Sequence, residues 1–406
     1  MKAVILLGDG MGDRPVPALR GRTPLEVARK PNMDEVAIMG ECGLLDPVAP
    51  GIRVGSDTAH LAILGYDPYT SYTGRGPFEA AGAGLEVRGG DVAFRCNFAT
   101  VNDDMVVIDR RAGRIEEGTD LLAAAISGME IMGARILFKE SVAHRAVLVI
   151  RGIGLGHNVT DVDPHAENVR IHEAHGLDDE SRRTAQIVNE FVRRSYEILK
   201  DHPVNKERER KGLLPANIVL PRGAGIAPKL QSFQEKHGLK GACIVEVDLV
   251  KGVGMYLGMT TPTVPGATGG YDTDIDAIAK AVVDALSDHD FVLCNVKGMD
   301  VAGHDGKHEE KIMMIEKMDS LVGTILGLGM DDLIIVLSAD HSTPVTFKDH
   351  TGDPVPIAIA GPGVRTDSVR RFDERSVVCG GLMRIRGMDL MRIVTNLLGV
   401  QGKFGA

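Results

Sequence analysis

The chain has 406 residues, 44% apolar and 25% charged, a balance that buries a sizeable core and excludes a disordered protein. Forty-six Lys and Arg against 56 Asp and Glu leave a formal charge of −10, which argues against sequence-independent nucleic-acid binding. A membrane partner is not expected either, because no apolar run approaches the ~20 residues of a spanning helix. The length, about 2.7 times a ~150-residue domain, suits two domains or one large domain carrying an insertion. Cys42, Cys96, Cys243, Cys294 and Cys379 are widely scattered, with no Cys-x-x-Cys. They are expected to be reduced core residues of a cytoplasmic protein, not a disulfide or zinc framework.

Taken in chain order, residues 3–7 form a short aliphatic run that stops at Gly8-Asp9-Gly10. It is too brief for a signal-peptide core and predicts a buried strand. Residues 51–68 (GIRVGSDTAHLAILGYDP) place Ser56 just ahead of an apolar stretch. From 85 to 170 there are nine arginines and one lysine, Lys139, with candidate strands at 106–108 and 146–150. A helix is predicted over 178–200, followed by a polar connection at 201–212, a solvated loop or helix end. Strands are then expected at 244–247, 291–296, 333–337 and 355–360, each bounded by turn residues. Amphipathic helices at 272–287 and 308–327 lie between them. Strands alternating with helices predict a mainly parallel α/β sheet covered by helices on both faces. The simplest organisation is a core domain formed by 1–80 and 181–406, with a smaller α/β substrate domain inserted at 81–180.

The chemistry-bearing residues follow predicted strands. Asp9 follows the first; Asp300 and His304 follow 291–296; Asp340 and His341 follow 333–337, with His350 shortly after. Loops at the carboxyl ends of parallel strands converge on one edge, so residues distant in sequence can share a site. Three aspartates and three histidines make a mixed oxygen and nitrogen set suited to Mn²⁺ or Zn²⁺. Six side chains exceed one tetrahedral site and are enough for two metals, the arrangement that clamps both oxygens of a phosphoryl displacement.

Ser56 has two readings from spacing alone. Either Ser56 or its neighbour Asp57 simply caps the helix that follows, or Ser56 is a nucleophile placed where helix N–H groups favour phosphate. No G-x-S-x-G elbow and no G-x-x-x-x-G-K-[ST] loop is present, so neither a Ser-His-Asp hydrolase nor a nucleotide site is indicated.

Together GDGMGD (8–13), GSDTAHLAILGYDP (55–68), TGRGPFEAAGAG (73–84), GMDVAGHDG (298–306), SADHSTP (338–344) and HTGDPVP (350–356) resemble the archaeal-type cofactor-independent phosphoglycerate mutases of the alkaline phosphatase superfamily. The resemblance runs over nearly the whole chain and implies a phosphatase-like core with an inserted substrate domain. It implies two Mn²⁺-type ions, with Zn²⁺, Co²⁺ or Mg²⁺ as other candidates. Asp300, His304 and His350 would hold one; Asp9, Ser56, Asp340 and His341 would hold the other. Ser56 would be the nucleophile, carrying the phosphoryl group between the two hydroxyls of one glycerate, with no bisphosphoglycerate primer and no nucleotide.

A phosphoglycerate substrate carries phosphate and carboxylate, which arginine binds bidentately where lysine does not. The candidates are Arg75 in TGRGP, Arg145 beside His144, and Arg151 in the same run. The turn 160–165 (TDVDPH) adds Asp161, Asp163 and His165, able to bind a hydroxyl and move its proton, although a Pro-containing, Asp-rich turn is also a common plain loop. Because ligands and arginines would come from different domains, closure is expected, with hinges near 74–84 and after 175. Two alternatives share the core chemistry: a metal-dependent phosphomonoesterase, and a small-molecule phosphotransferase like the relatives described as homoserine kinases.

Overall fold

Aliphatic runs of about six residues can bury both faces only in the middle of a layered sheet, and several strands here do so completely. The computed structural model describes residues 1–329 and 331–405. Among the described residues, β1 (Lys2–Gly8) and β2 (Gly40–Asp46) come first. They are followed by β3 (Val92–Val101), β4 (Val107–Asp109), β5 (Glu130–Ile131), β6 (Ala134–Glu140), β7 (Arg145–Arg151) and β8 (Ile218–Gly225). The last group is β9 (Gly241–Val245), β10 (Phe291–Val296), β11 (Leu333–Ser338), β12 (Val355–Ala360) and β13 (Met383–Arg386). The chain divides into two compact units, Met1–Ser71 with Leu230–Ala406, and Tyr72–Lys229.

The first unit is a seven-stranded sheet in the order β13-β2-β12-β11-β1-β10-β9. Every pairing is parallel except those of β12, which runs against both β11 and β2. All residues of β10, β11 and β12 are buried, as strands covered on both sides must be. One group of helices, including Pro31–Met39, Ile275–Asp288 and His308–Leu326, packs together on the sheet. Another, Ser56–Ile63 with Asp248–Tyr256 and Gly387–Leu397, forms a separate cluster. The mainly parallel α/β core expected from the sequence is therefore present, with a single antiparallel strand that alternating apolar runs do not disclose.

The second unit is a sheet in the order β4-β3-β7-β6-β5, with β8 also pairing with β3. Its pairings are antiparallel throughout. It is larger than the span 81–180 assigned from sequence. The helix Asp179–Leu199 lays Ile187, Val188, Phe191, Val192 and Leu199 into this unit's core, and β8 lines up antiparallel to β3 from Ala93 to Ala99. An amphipathic pattern does not say which sheet a helix covers, and β8 (IVLPRGAG) carries a proline and two glycines that mask it as a strand. Residues 201–212 contain a short helix, Pro203–Arg210, opened by proline in its first turn. Cys42, Cys96, Cys243 and Cys294 are buried free thiols, whereas Cys379 is exposed. Among the described residues no helix is long and apolar enough to cross a membrane.

A buried ion pair braces the functional edge of the first unit. Lys311 Nζ donates to Asp13 Oδ2 at 2.8 Å, to Thr343 O at 2.9 Å and to Gly12 O at 3.1 Å, which uses all three ammonium hydrogens. Both side chains are fully buried. The turn after β1 is thereby tied to the loop after β11. Replacing Lys311 with Met leaves the Asp13 carboxylate buried without its cation, a loss of about 3–5 kcal/mol. Urea unfolding of Lys311→Met, Asp13→Asn and the double variant should show the double losing clearly less than the sum; strict additivity would mean the pair is not coupled.

Candidate active site

Three neighbouring parallel strands, β11, β1 and β10, end at one edge of the first sheet, and each hands its chain to a site residue. Asp9 follows β1, Lys297 and Asp300 follow β10, and Asp340 and His341 follow β11. Because β12 is antiparallel, it begins at this same edge. The whole connection 339–354 therefore lies there, which brings in His350. β2 also points this way, and the chain beyond it leads to the helix Ser56–Ile63.

Asp300 and His304 lie on a helix, Gly298–Asp305, and not on the loop expected from the sequence. The helix opens two residues after β10, and its i, i+4 spacing puts both side chains on one face, with His304 Nε2 3.5 Å from Asp300 Oδ1. Gly10 has φ +62°, and a Cβ there would fall 2.5 Å from Thr343 Oγ1 and 2.8 Å from Asp300 Cβ. Only glycine lets the first loop pass this close to the other two. Its N–H donates to Asp340 Oδ1 at 3.1 Å.

Hydrogen bonds decide which nitrogen each histidine presents. His350 Nδ1 donates to Val54 O at 2.7 Å and His304 Nδ1 to Lys348 O at 3.0 Å, so Nε2 is the free lone pair of each ring. Thr343 Oγ1 donates to Asp300 Oδ1 at 2.7 Å and accepts from His341 Nδ1 at 3.1 Å. His341 Nε2 then faces Ser56 Oγ at 3.3 Å, Asp340 Oδ2 at 3.3 Å and Asp9 Oδ1 at 3.6 Å. Burial, together with His350 stacked on its ring, pushes His341 down to about 3, so it is neutral. This is the form a metal ligand requires.

Three groups of side chains have ligand atoms close enough to hold a cation: Asp9 with Asp340 and His341; Asp300 with His341 and His350; His304 with Asp349 and His350. Asp9 Oδ2 and Asp340 Oδ2 are buried and make no hydrogen bond. Burial and the neighbouring Asp340 raise the Asp9 carboxyl above its ordinary range. Buried anionic oxygens without donors are costly unless paired with positive charge, and the donor set of carboxylate and imidazole fits a divalent metal. Asp349, ion-paired with Arg53 at 2.6 Å, is a candidate that the sequence reasoning passed over. Ser56 begins its helix, and the N-cap is Gly55 with no side-chain cap; the capping alternative for Ser56 is thus removed.

The second unit gathers arginines. Arg75 Nε donates to Glu79 Oε1 at 3.0 Å, and Arg95 Nε lies 3.6 Å from the same oxygen. Arg110 grips Asp163 bidentately at 2.9 and 2.6 Å, and Arg222 lies 3.6 Å from it. Gly74, at φ +109° with a virtual Cβ 2.1 Å from Ala224 O, lets the chain carrying Arg75 touch β8. With Arg145 nearby, five guanidinium groups stand beside the carboxylates of Glu79, Asp163 and Asp161, so guanidinium groups outnumber carboxylates. The Nε atoms of Arg95 and Arg222 are buried without hydrogen-bond partners.

His165 faces Arg110 Nη2 at 3.3 Å and Arg222 Nη1 at 3.4 Å, while its Nε2 lies 3.1 Å from Asp161 Oδ2. Asp161, Asp163 and His165 line a cavity with His172 and His175. His144, pushed down to about 3 by burial and by Arg145, is neutral. Arg151 is not brought to this group. It sits at the opposite end of β7 from Arg145 and binds Asp91 at 2.8–3.2 Å and Glu86 O at 3.0 Å. Arg95, Arg110, Arg222 and Glu79 were missed by the sequence reasoning. The available signal was an arginine inside an apolar strand, which must be paired or functional.

Glu79 supplies a pH test. Burial opposes its ionisation, but Arg95 and Arg75 outweigh that and hold its carboxyl down to about 2 from 4.5. A depressed carboxylate stabilises the fold above its unfolded value and loses that contribution as pH falls through the folded one. Urea midpoints should therefore drop between about pH 4.5 and about pH 2 in the native protein, and this part of the slope should vanish in Glu79→Gln. An unchanged acid slope would show that Glu79 is not held this way.

A family model described as 2,3-bisphosphoglycerate-independent phosphoglycerate mutase matches residues 37–205. The chain is 55% identical to 2,3-bisphosphoglycerate-independent phosphoglycerate mutase 1 of Methanothermobacter thermautotrophicus, with all of both chains covered. It is 50% identical to the protein of the same name from Methanocaldococcus jannaschii, over 100% of this chain and 99% of that one. Among solved structures, a Pyrococcus horikoshii protein superposes with a TM-score of 0.89 at 41% identity, covering 100% of this chain and 99% of the other. The cofactor-independent phosphoglycerate mutase of Thermoplasma acidophilum gives 0.68 at 38% identity, covering 98% and 100%. Identity at this level over complete chains establishes that the chain belongs to the 2,3-bisphosphoglycerate-independent phosphoglycerate mutase family.

Proposed function

We propose that the chain interconverts 3-phosphoglycerate and 2-phosphoglycerate through a phosphoserine at Ser56, without a bisphosphoglycerate primer. The observation that carries this reading is the placement of Ser56. Its hydroxyl opens a helix and lies 3.3 Å from His341 Nε2, among the carboxylates and imidazoles able to hold metal. Asp9, Asp340 and His341 with Ser56 would hold one divalent ion, and Asp300, His304 and His350 a second, the mixed donors suiting Mn²⁺ or Zn²⁺. Such ions, when bound, lower the pKa of the serine hydroxyl and offset charge on the phosphoryl oxygens.

Ser56 Oγ gives up its proton and attacks phosphorus, forming the Oγ–P bond as the ester bond to the glycerate oxygen breaks, and that oxygen takes up a proton. The other glycerate hydroxyl then loses its proton and attacks the phosphoserine; the Oγ–P bond breaks and Ser56 Oγ is reprotonated. The helix N-terminus favours the anionic phosphoryl group while it resides on Ser56. His60 steadies this position, since its Nδ1 donates to Ser56 O at 2.6 Å. In the second unit, the surplus of guanidinium groups at Arg75, Arg95, Arg145 and Arg222 suits the substrate's acid groups, and the His165–Asp161 pair suits a hydroxyl proton. Arg110 and Asp163 hold that array in place.

The test is ³¹P NMR of the protein with 3-phosphoglycerate and Mn²⁺, without bisphosphoglycerate. The expected product is 2-phosphoglycerate, lost in Ser56→Ala, which should still bind much of its metal, and lost on chelation. Release of inorganic phosphate instead would assign the protein to the phosphomonoesterases. Arg95→Met should raise KM by about tenfold or more, because a buried charged donor is removed, with Mn²⁺ affinity unchanged. An unaltered KM would remove Arg95 from substrate recognition.

A further inference from the structure

Lys297 belongs to none of the metal-type motifs, yet its ammonium is at the centre of the first unit's site. Nζ lies 2.9 Å from Asp9 Oδ1 and 2.7 Å from Asp300 Oδ2. Those carboxylates belong to two different ligand groups, so one side chain bridges both. The lysine is mostly buried, with 15% of its side chain exposed. Its backbone is fixed, because Lys297 N donates to Glu246 Oε2 at 2.5 Å and Glu246 also accepts from Gly269 N at 3.1 Å and from Thr273 Oγ1. A fixed Cα with a four-carbon stem can relocate its charged head by a few ångströms while the main chain stays still.

Charge counting says what that head does. The carboxylates of Asp9, Asp300 and Asp340 contribute −3. One ammonium leaves the cluster at −2. Two divalent ions with the lysine retained would bring it to +2, which a phosphoryl dianion cancels. A cation beside two divalent ions on the same carboxylates is repelled, and the phosphoryl oxygens are the anionic acceptors that reach the site during turnover.

We infer that Lys297 is a displaceable internal counterion: it competes with divalent metal for Asp9 and Asp300, and it serves as a catalytic residue by donating to the phosphoryl group in transfer. The second half rests on the phosphoryl-transfer reading above; the competition does not.

The two roles move in opposite directions when the lysine is lost, which separates them from a structural role. Mn²⁺ titration of chelator-stripped protein by calorimetry and electron paramagnetic resonance should show Lys297→Met binding Mn²⁺ about tenfold tighter or more, since like-charge competition is removed. Its turnover should fall by about 100-fold or more, the usual loss for one preorganised donor to developing charge. Lys297→Gln, a neutral variant that can still donate to the carboxylates, should also bind Mn²⁺ more tightly. Lys297→Arg should stay near the native affinity. Weaker or unchanged Mn²⁺ binding in both neutral variants would overturn the competition. Tighter binding with native turnover would overturn the catalytic half. Native protein that binds Mn²⁺ but forms no 2-phosphoglycerate would instead count against the mutase reading, leaving the competition to stand on the affinities.

Discussion

The first unit is organised around one electrostatic constraint: Asp9, Asp300 and Asp340 are buried together at a sheet edge. Burying a carboxylate is costly unless it is paired, so neighbouring residues have duties imposed by these three. Lys297 bridges two of them, Thr343 donates to Asp300, and the N–H of Gly10 donates to Asp340. Beneath them, Lys311 and Asp13 form a second buried pair that keeps the loops in register. Seen this way, the glycines and threonine of the motifs GDGMGD and SADHSTP belong to the site as much as its ligands do. They set how closely the charges approach, and the charges set which cations the edge accepts.

Much of this edge is legible in the sequence, for a physical reason. A strand buried on both faces is a pure aliphatic run, and a polar residue just past it has no role in the sheet. Asp9 and Asp340 stand out on that ground alone. Less legible is what depends on pairing partners. The direction of β12 is invisible in VPIAIA, yet it decides that 339–354 spans the site. Lys297 follows an aliphatic strand just as Asp9 does, but lysine after a strand is so ordinary on protein surfaces that only its burial between two carboxylates marks it out. Asp300 and His304 were expected on a loop, because a helix opened by Gly-Met-Asp lacks the usual N-cap residues.

The second unit was harder to read because its informative residues lie inside strands. Arg95 interrupts VAFRCNFATV and Arg222 follows a proline in β8; each looks like a break in a pattern. In the fold they are register partners across β3 and β8, with Glu79 beside Arg95 and Asp163 beside Arg222. Arg151, on the same strand as Arg145, shows the opposite case. The two stand at opposite ends of the seven-residue β7, and Arg151 is consumed by Asp91. Proximity in sequence along a strand thus misled where proximity across strands informed.

The central position of β1 has a consequence for how the molecule is made. β1 is flanked by β10 and β11, which begin only at Phe291 and Leu333. Until then Ala3–Leu7 has no sheet to enter and remains an exposed aliphatic segment. The second unit, by contrast, is one continuous stretch, Tyr72–Lys229, and every strand it pairs is already present when residue 229 emerges. Biosynthesis therefore runs against sequence order. The inserted unit is able to fold first, while β1 waits for β10 and β11, a long interval in which a nascent hydrophobic segment stays exposed.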